Sequence, residues 1–333
     1  MASRRGRKPI GDRSVLLRGV SGLMSDATAF QPPPNARLGE VILDKLVSGR
    51  GIWPAVPAII VLIVVAVVPF IILLSLGFSD IEVARGAIVS QTLSFSHLSN
   101  ALSDPLYWIT FQRSLVLAIN TTLLCLLFGY PVAYLFLIGG KWTRRLILIL
   151  TIAPLLTSGI VRTYAWLVIL GGRGVVNSTL MSLGLIDQPL RIMNTHWAVL
   201  IGMVQIHLPV MILPLIAVMS RHEGGLMEAS ANLGASRLGT LRTVILPLSA
   251  PGIGTGAALV FTLSYTTFVV PQLLGGGNYL NAATMIYEQV VFSLEWSKGS
   301  VSSLILMATC LIVLVIIAML TNIFTRWTKG RDA

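Results

Sequence analysis

An uncharged apolar run, PAVPAIIVLIVVAVVPFIILLSLGF, occupies residues 54–78 and decides the fold class. About 20 apolar residues in a helix cross roughly 30 Å of hydrocarbon. Because backbone hydrogen bonds must close internally in lipid, a continuous run of this length predicts a transmembrane helix. Five further apolar runs follow, at about 114–138, 146–170, 196–219, 250–272 and 301–325. We therefore predict an all-α polytopic membrane protein with six transmembrane helices.

The overall composition agrees with a lipid-embedded chain. Hydrophobic residues make up 55% of the 333 residues and charged residues only 11%, whereas a soluble domain carries about 25% charged residues. Cys125 and Cys310 each lie within an apolar run, so we expect buried thiols and no disulfide. In the fifth run, Gly252, Gly254 and Gly256 predict close helix packing.

The first 50 residues differ from the rest and form a predicted domain of their own. They contain the basic cluster Arg4, Arg5, Arg7 and Lys8 and a triple proline at 32–34 that no helix tolerates. We predict a basic, largely disordered cytoplasmic segment at 1–50. The transmembrane domain then covers 51–333.

The placement of Lys and Arg predicts the orientation. With the N-terminus inside, 18 of the 24 basic residues fall in cytoplasmic segments, as the positive-inside rule requires. Six spans then place both termini in the cytoplasm. The net charge of +11 is thereby explained as a topology signal, and no nucleic-acid partner is expected.

Motifs for catalysis are missing from the sequence. No GxxxxGK[ST] loop occurs, so the chain does not cradle nucleotide phosphates itself, and no HExxH or GxSxG pattern occurs. The four histidines have no metal-ligand spacing. We expect neither an enzyme nor a cofactor or metal.

The segment at about 221–247, between the fourth and fifth runs, carries the most specific pattern. Leu226–Leu233 reads as a short helix that Gly234 ends as a C-cap. Pro247 is expected to stop a helix before the fifth span. Such an element, lying along the membrane, suits docking into a groove of another protein.

The order of residues in this segment resembles the EAA loop of binding-protein-dependent ABC importer permeases. That pattern is EAA, three residues, Gly, nine residues and Ile-x-Leu-Pro. The corresponding positions here are Glu228, Ala229, Ser230, Gly234, Val244, Leu246 and Pro247. Ser230 replaces alanine and Val244 replaces isoleucine, and both changes keep size or shape.

Further stretches resemble the permeases of spermidine/putrescine-type importers, over about 111–325. Arg162–Trp166 resembles the third span of that family, and Leu185–Met193 resembles the loop after it. Pro271–Gly277 with Ile286–Gln289 resembles the broader family, which takes up polyamines, opines and aminophosphonates. The resemblance implies a type I ABC importer permease of the bacterial inner membrane, in contact with membrane lipid. It implies three partners: a cytoplasmic ABC ATPase dimer that receives Glu228 in its groove, a second permease that is a different chain, and a periplasmic substrate-binding protein.

Polar residues within or near the spans are candidates for the transport pathway. Ionisable groups in a span are functional hypotheses, although polar side chains in bundles also hold helices together. The candidates are Arg162, Tyr164, Gln205, Tyr265, Thr266 and Glu288. His207 and Thr267 are further polar residues of the same kind.

The resemblance favours a polyamine such as spermidine or putrescine as the solute. An opine, an amino-acid-like solute or an aminophosphonate stays open, because recognition in this class rests largely with the binding protein. The alternative function is an ion-coupled secondary carrier. It would require intramembrane carboxylates as a relay, and the predicted spans hold essentially none.

Overall fold

The computed structural model describes residues 56–84, 87–221, 230 and 232–329, without the side chains of 80–93, Arg237, Asn278 and 326–329. The predicted disordered segment at 1–50 lies outside these residues. Two compact units are distinguished, 1–70 and 71–333, and all packing described below belongs to the second.

Helices of very different length make up the described chain. The long helices are α1 (Val56–Gly77), α3 (Pro105–Ile138), α7 (His196–Ser220), α9 (Leu246–Thr266) and α12 (Trp296–Lys329). The shorter ones are α2 (Ser96–Ser103), α4 (Lys141–Ile152), α5 (Gly159–Leu170), α6 (Val175–Ser182), α8 (Arg237–Thr240), α10 (Val269–Leu274) and α11 (Ala282–Tyr287). Two π-helical turns, Leu241–Ile245 and Glu288–Phe292, precede α9 and follow α11.

Six helical segments are long and apolar enough to cross a membrane, which confirms the number of predicted spans. They are Val56–Gly77, Pro105–Ile138, Gly159–Ser182, His196–Ser220, Leu238–Thr266 and Trp296–Thr325. The third segment differs most from its prediction at 146–170. A 3₁₀ turn at Ala153–Leu156, with Pro154 as its second residue, separates α4 from α5. Helix α4 ends there because proline has no N–H to continue the helical hydrogen bonds. The third segment therefore begins at Gly159.

A short β-hairpin, absent from the predictions, follows α1. Strands β1 (Ser79–Ala84) and β2 (Ala87–Leu93) pair antiparallel, with Ser79 opposite Leu93 and Ala84 opposite Ala87. The register shifts between Glu82 and Val83, where a bulge increases the local twist. The fold remains a helical one, with this single hairpin between the first and second spans.

The core lies where α3, α7 and α9 pack together. Cys125, Met211 and Val260 are fully buried there. A Cβ on Gly256 would lie 2.7 Å from Met211 Sδ and one on Gly129 3.2 Å from Met211 Cγ, so the absence of side chains lets the helices approach closely.

The three glycines predicted to form one packing face of the fifth span contact two different helices, α7 and α12. Gly252 and Gly256, four residues apart, face α7, where a Cβ on Gly252 would meet the Pro214 carbonyl at 3.1 Å. Gly254 instead faces α12, where an added Cβ would clash with the Thr321 side chain. Residues two apart on a helix point to different sides, so α9 is packed closely on two faces. The two cysteines are buried, as predicted.

Candidate functional site

The candidate coupling turn, Ser230 with residues 232–240, lies between α7 and α9. Glu228 and Ala229 lie outside the described residues. Gly234 has φ +80°, and the Ala235 N–H donates to the Ser230 carbonyl at 3.1 Å. A left-handed glycine with this hydrogen bond around it is the Schellman motif that ends helices. Gly234 is therefore the helix C-cap that the sequence predicts.

A buried pair of hydroxyls closes the base of the coupling turn. Ser230 Oγ lies 2.7 Å from Thr240 Oγ1, and Thr240 Oγ1 also donates to the Ser236 carbonyl at 3.2 Å. Leu233, at the tip, is 88% exposed. The turn is thus held at its base while its apolar tip is open. Serine in place of the family's alanine supplies this bond, which the sequence pattern alone does not reveal.

Pro247 does not stop a helix, and this prediction is wrong. Helix α8, the π turn Leu241–Ile245 and α9 follow one another without a break, and the Leu246 N–H donates to the Leu241 carbonyl. Pro247 cannot donate to the carbonyl four residues earlier, and the wider i→i+5 turn accommodates that missing bond. The coupling turn is therefore joined directly to the helix of the fifth span.

A polar cluster lies between α5 and α7. Trp166 Nε1 donates to Gln205 Oε1 at 3.4 Å. His207 is buried, with Nδ1 2.9 Å from the Met203 carbonyl, and it interacts electrostatically with Arg162. The Nε and Nη1 atoms of Arg162 are enclosed and have no hydrogen-bond partner among the described residues. The structure thus brings two of the six pathway candidates, Arg162 and Gln205, into one region.

The other candidates lie elsewhere. Tyr164, Thr266 and Glu288 are exposed on the surface of the chain. Tyr265 is fully buried, stacks on Phe261 with ring centroids 5.4 Å apart, and lines a mostly apolar cavity of about 330 Å³. The six candidates therefore do not form one continuous site within this chain.

Next to the exposed Glu288, Gln289 joins three elements, and sequence reasoning missed it. Its Nε2 donates to the Tyr107 hydroxyl at 2.9 Å, and Ser302 Oγ donates to its Oε1 at 2.7 Å. These bonds tie the start of α3 to the π turn Glu288–Phe292 and to α12. Within the π turn, Glu288 is exposed while the next residue, Gln289, bonds to neighbouring helices.

A second missed feature is a cavity of about 390 Å³ lined by Gln112, Arg113, Val116, His196 and Tyr279, here called the Arg113 cavity. His196 Nδ1 lies 2.9 Å from the Tyr279 hydroxyl. Burial raises the pKa of Tyr279 to about 12, against the opposing effect of the positive charge of Arg113. The signal in the sequence is weak, because the lining residues come from three separate stretches.

These features define a class of protein: a polytopic helical membrane protein with a capped turn built into its fifth span. Residues 112–330 match the family described as "Binding-protein-dependent transport system inner membrane component". The chain belongs to this family, and it is therefore a multi-pass inner-membrane transport subunit and not an enzyme.

Curated relatives and a solved structure agree with this assignment. The spermidine/putrescine transport system permease protein PotB of Escherichia coli strain K12 is 36% identical over 234 residues, which cover 70% of this chain and 85% of that protein. PotB of Haemophilus influenzae is 37% identical over 215 residues, 64% of this chain and 75% of the relative. A chain of the bacterial alginate ABC transporter, in complex with an alginate pentasaccharide-bound periplasmic protein, superposes with TM-score 0.67 at 15% identity. This superposition covers 86% of this chain and 97% of the other, and it supports the fold alone.

Proposed function

We propose that the chain is the permease subunit of an ATP-driven importer and forms half of a translocation pathway. The other half is a second permease, a different chain. A periplasmic binding protein delivers the solute, and a separate ATPase dimer hydrolyses ATP. The observation that carries this proposal is the Gly234-capped turn, joined without a break to the span Leu238–Thr266 in a chain of this family.

In this proposal the coupling turn docks onto the ATPase, with Glu228 and Ala229 in the contact. ATP-driven closure of the ATPase moves the turn, and the continuous α8–α9 connection passes that motion to the fifth span. This is a two-state change that a partner biases. Both termini are cytoplasmic, an orientation that the distribution of basic residues supports.

The proposed solute is a polyamine, and 36% identity to PotB supports this class. Arg162 and Gln205 are proposed to face the pathway through the cluster between α5 and α7, and Tyr265 contributes through the apolar cavity. Tyr164, Thr266 and Glu288 are exposed in the single chain, so their proposed role is at the contact with the second permease or the binding protein. Opines, amino-acid-like solutes and aminophosphonates are the alternative cargo.

Reconstitution of the two permeases, the ATPase and the binding protein in liposomes tests the proposal. We expect uptake of radiolabelled spermidine that requires ATP hydrolysis, and Glu228→Ala should abolish uptake while the receptor still binds. The matched control is Glu295→Ala, an exposed glutamate outside the turn, which should leave uptake unchanged. Uptake that persists without ATP hydrolysis would overturn the importer and favour an ion-coupled carrier. If the Glu228→Ala variant keeps ATP-coupled uptake, the proposed role of the coupling turn is wrong.

A further inference from the structure

The Arg113 cavity lies at the end of the bundle opposite the coupling turn. His196 begins α7, and the last residue of α7, Ser220, leads into the loop that contains the turn. Arg113 lies about two turns into α3 and is exposed. In the proposed orientation this end faces the periplasm, where the binding protein docks.

Backbone geometry builds the walls of the cavity. Gly276 has φ +59° and accepts a hydrogen bond from the Tyr279 N–H at 3.2 Å. Asn194 N–H donates to the Leu274 carbonyl at 3.0 Å, which joins this loop to the start of α7. A Cβ on Gly275 would lie 2.5 Å from Tyr279 Cβ. The segment that carries Tyr279 is thereby fixed against the segment that carries His196.

The cavity offers several hydrogen-bond donors and one positive charge, that of Arg113. Since the pKa of Tyr279 is about 12, its hydroxyl is protonated at neutral pH. A neutral imidazole and a hydroxyl hold two donors and share only one bond, so one donor is left over. Arg113 adds its guanidinium and Gln112 its amide. Among the residues that the structure describes, no carboxylate pairs with Arg113.

We propose that the Arg113 cavity receives a carboxylate side chain of the binding protein when that protein docks on the permease. The proposal rests on the proposed function and specifies one contact of it. A receptor for a cationic polyamine needs carboxylates around its cargo, because a buried cation must be paired. A guanidinium offers a carboxylate two parallel hydrogen bonds.

The test is a titration of the reconstituted transporter with spermidine-loaded binding protein, with stimulated ATP hydrolysis as the readout. For Arg113→Gln we expect the half-saturating receptor concentration to rise about tenfold at about 50 mM salt and much less at about 300 mM, because screening removes the wild-type advantage. The matched control is Arg191→Gln, an exposed arginine in the segment before α7, with half-saturation unchanged. Equal shifts in both variants, or none in Arg113→Gln, overturn the proposal.

Charge reversal identifies the partner. Arg113→Glu should be rescued by changing one rim carboxylate of the binding protein to arginine, and failure of every such rim variant overturns the proposal. If Arg113→Gln instead changes which solutes are carried at saturating receptor, the cavity contacts the cargo rather than the receptor, and the proposal is overturned. A wild type without receptor-stimulated ATP hydrolysis refutes the proposed function itself, whereas a stimulated wild type that matches Arg113→Gln refutes only this inference.

Discussion

The coupling turn and the Arg113 cavity lie at opposite ends of α7 and are built in different ways. The turn consists of neighbouring residues held by local backbone hydrogen bonds around Gly234. The cavity combines side chains from residues 112–116, 196 and 279, which meet only in the folded chain. A feature made of local hydrogen bonds leaves a pattern in the sequence, whereas one assembled from distant segments does not.

After the loss expected for Glu228→Ala, the largest effect on uptake should come from Gly234→Val in the coupling turn. A β-branched residue at φ +80° costs about 1–2 kcal/mol, which should reduce ATP-coupled uptake about tenfold by misplacing the turn. The control is Gly140→Val, because neither glycine has a neighbour within 4 Å of an added Cβ and only Gly234 has positive φ. Equal losses in the two variants would mean that the positive φ of Gly234 does not explain the loss.

A smaller effect is expected on stability, and it should differ between the two hydroxyls at the base of the turn, those of Thr240 and Ser230. Thr240→Val removes the bonds to both Ser230 and Ser236, and we expect a loss of about 1–2 kcal/mol in the free energy of unfolding. Ser230→Ala leaves the Thr240–Ser236 bond in place and should cost less. Thermal unfolding in detergent measures both variants. If Ser230→Ala costs more than Thr240→Val, the hydroxyl pair does not hold the turn as described.

The smallest expected effect is the contribution of Tyr279 protonation to the free energy of unfolding, which changes only at alkaline pH. Because its folded pKa of about 12 exceeds the unfolded value near 10, folding favours the protonated form. This contribution is fully present below about pH 10 and is lost as the pH rises towards 12. Thermal unfolding of wild type and Tyr279→Phe should therefore show parallel pH dependence from 7 to 9 and diverge above it. Divergence already near pH 8 would contradict the assigned shift.

Much of the fold follows from apolar runs and single residues. The number of spans is predicted because each run must satisfy its own backbone in lipid, and Gly234 is recognised because a C-cap is a local event. The break at Ala153–Leu156 follows from Pro154, which the sequence shows but whose effect on a span it does not fix. The hairpin Ser79–Leu93 was missed because two short strands are weak signals beside long apolar runs.

The candidate site was predicted less completely. Arg162 and Gln205 share a region because α5 packs on α7, yet nothing in the sequence sets that contact. In the sequence, its charge makes Glu288 the candidate, whereas in the structure the neighbouring Gln289 makes the hydrogen bonds to Tyr107 and Ser302. The rotation of the helix about its axis decides which of two adjacent side chains faces the neighbouring helices. A π turn contains one extra residue and therefore changes that rotation.

The unequal lengths of the long helices have a consequence for the bilayer itself. Helix α3 has 34 residues and α1 has 22, which correspond to about 51 Å and 33 Å at 1.5 Å per residue. Of these two helices, α1 is the one that matches a hydrocarbon thickness of roughly 30 Å. A thinner or thicker membrane changes how far α3 extends into the headgroups, whereas α1 must tilt or deform the lipid around it. A change in membrane thickness therefore affects the two helices in different ways.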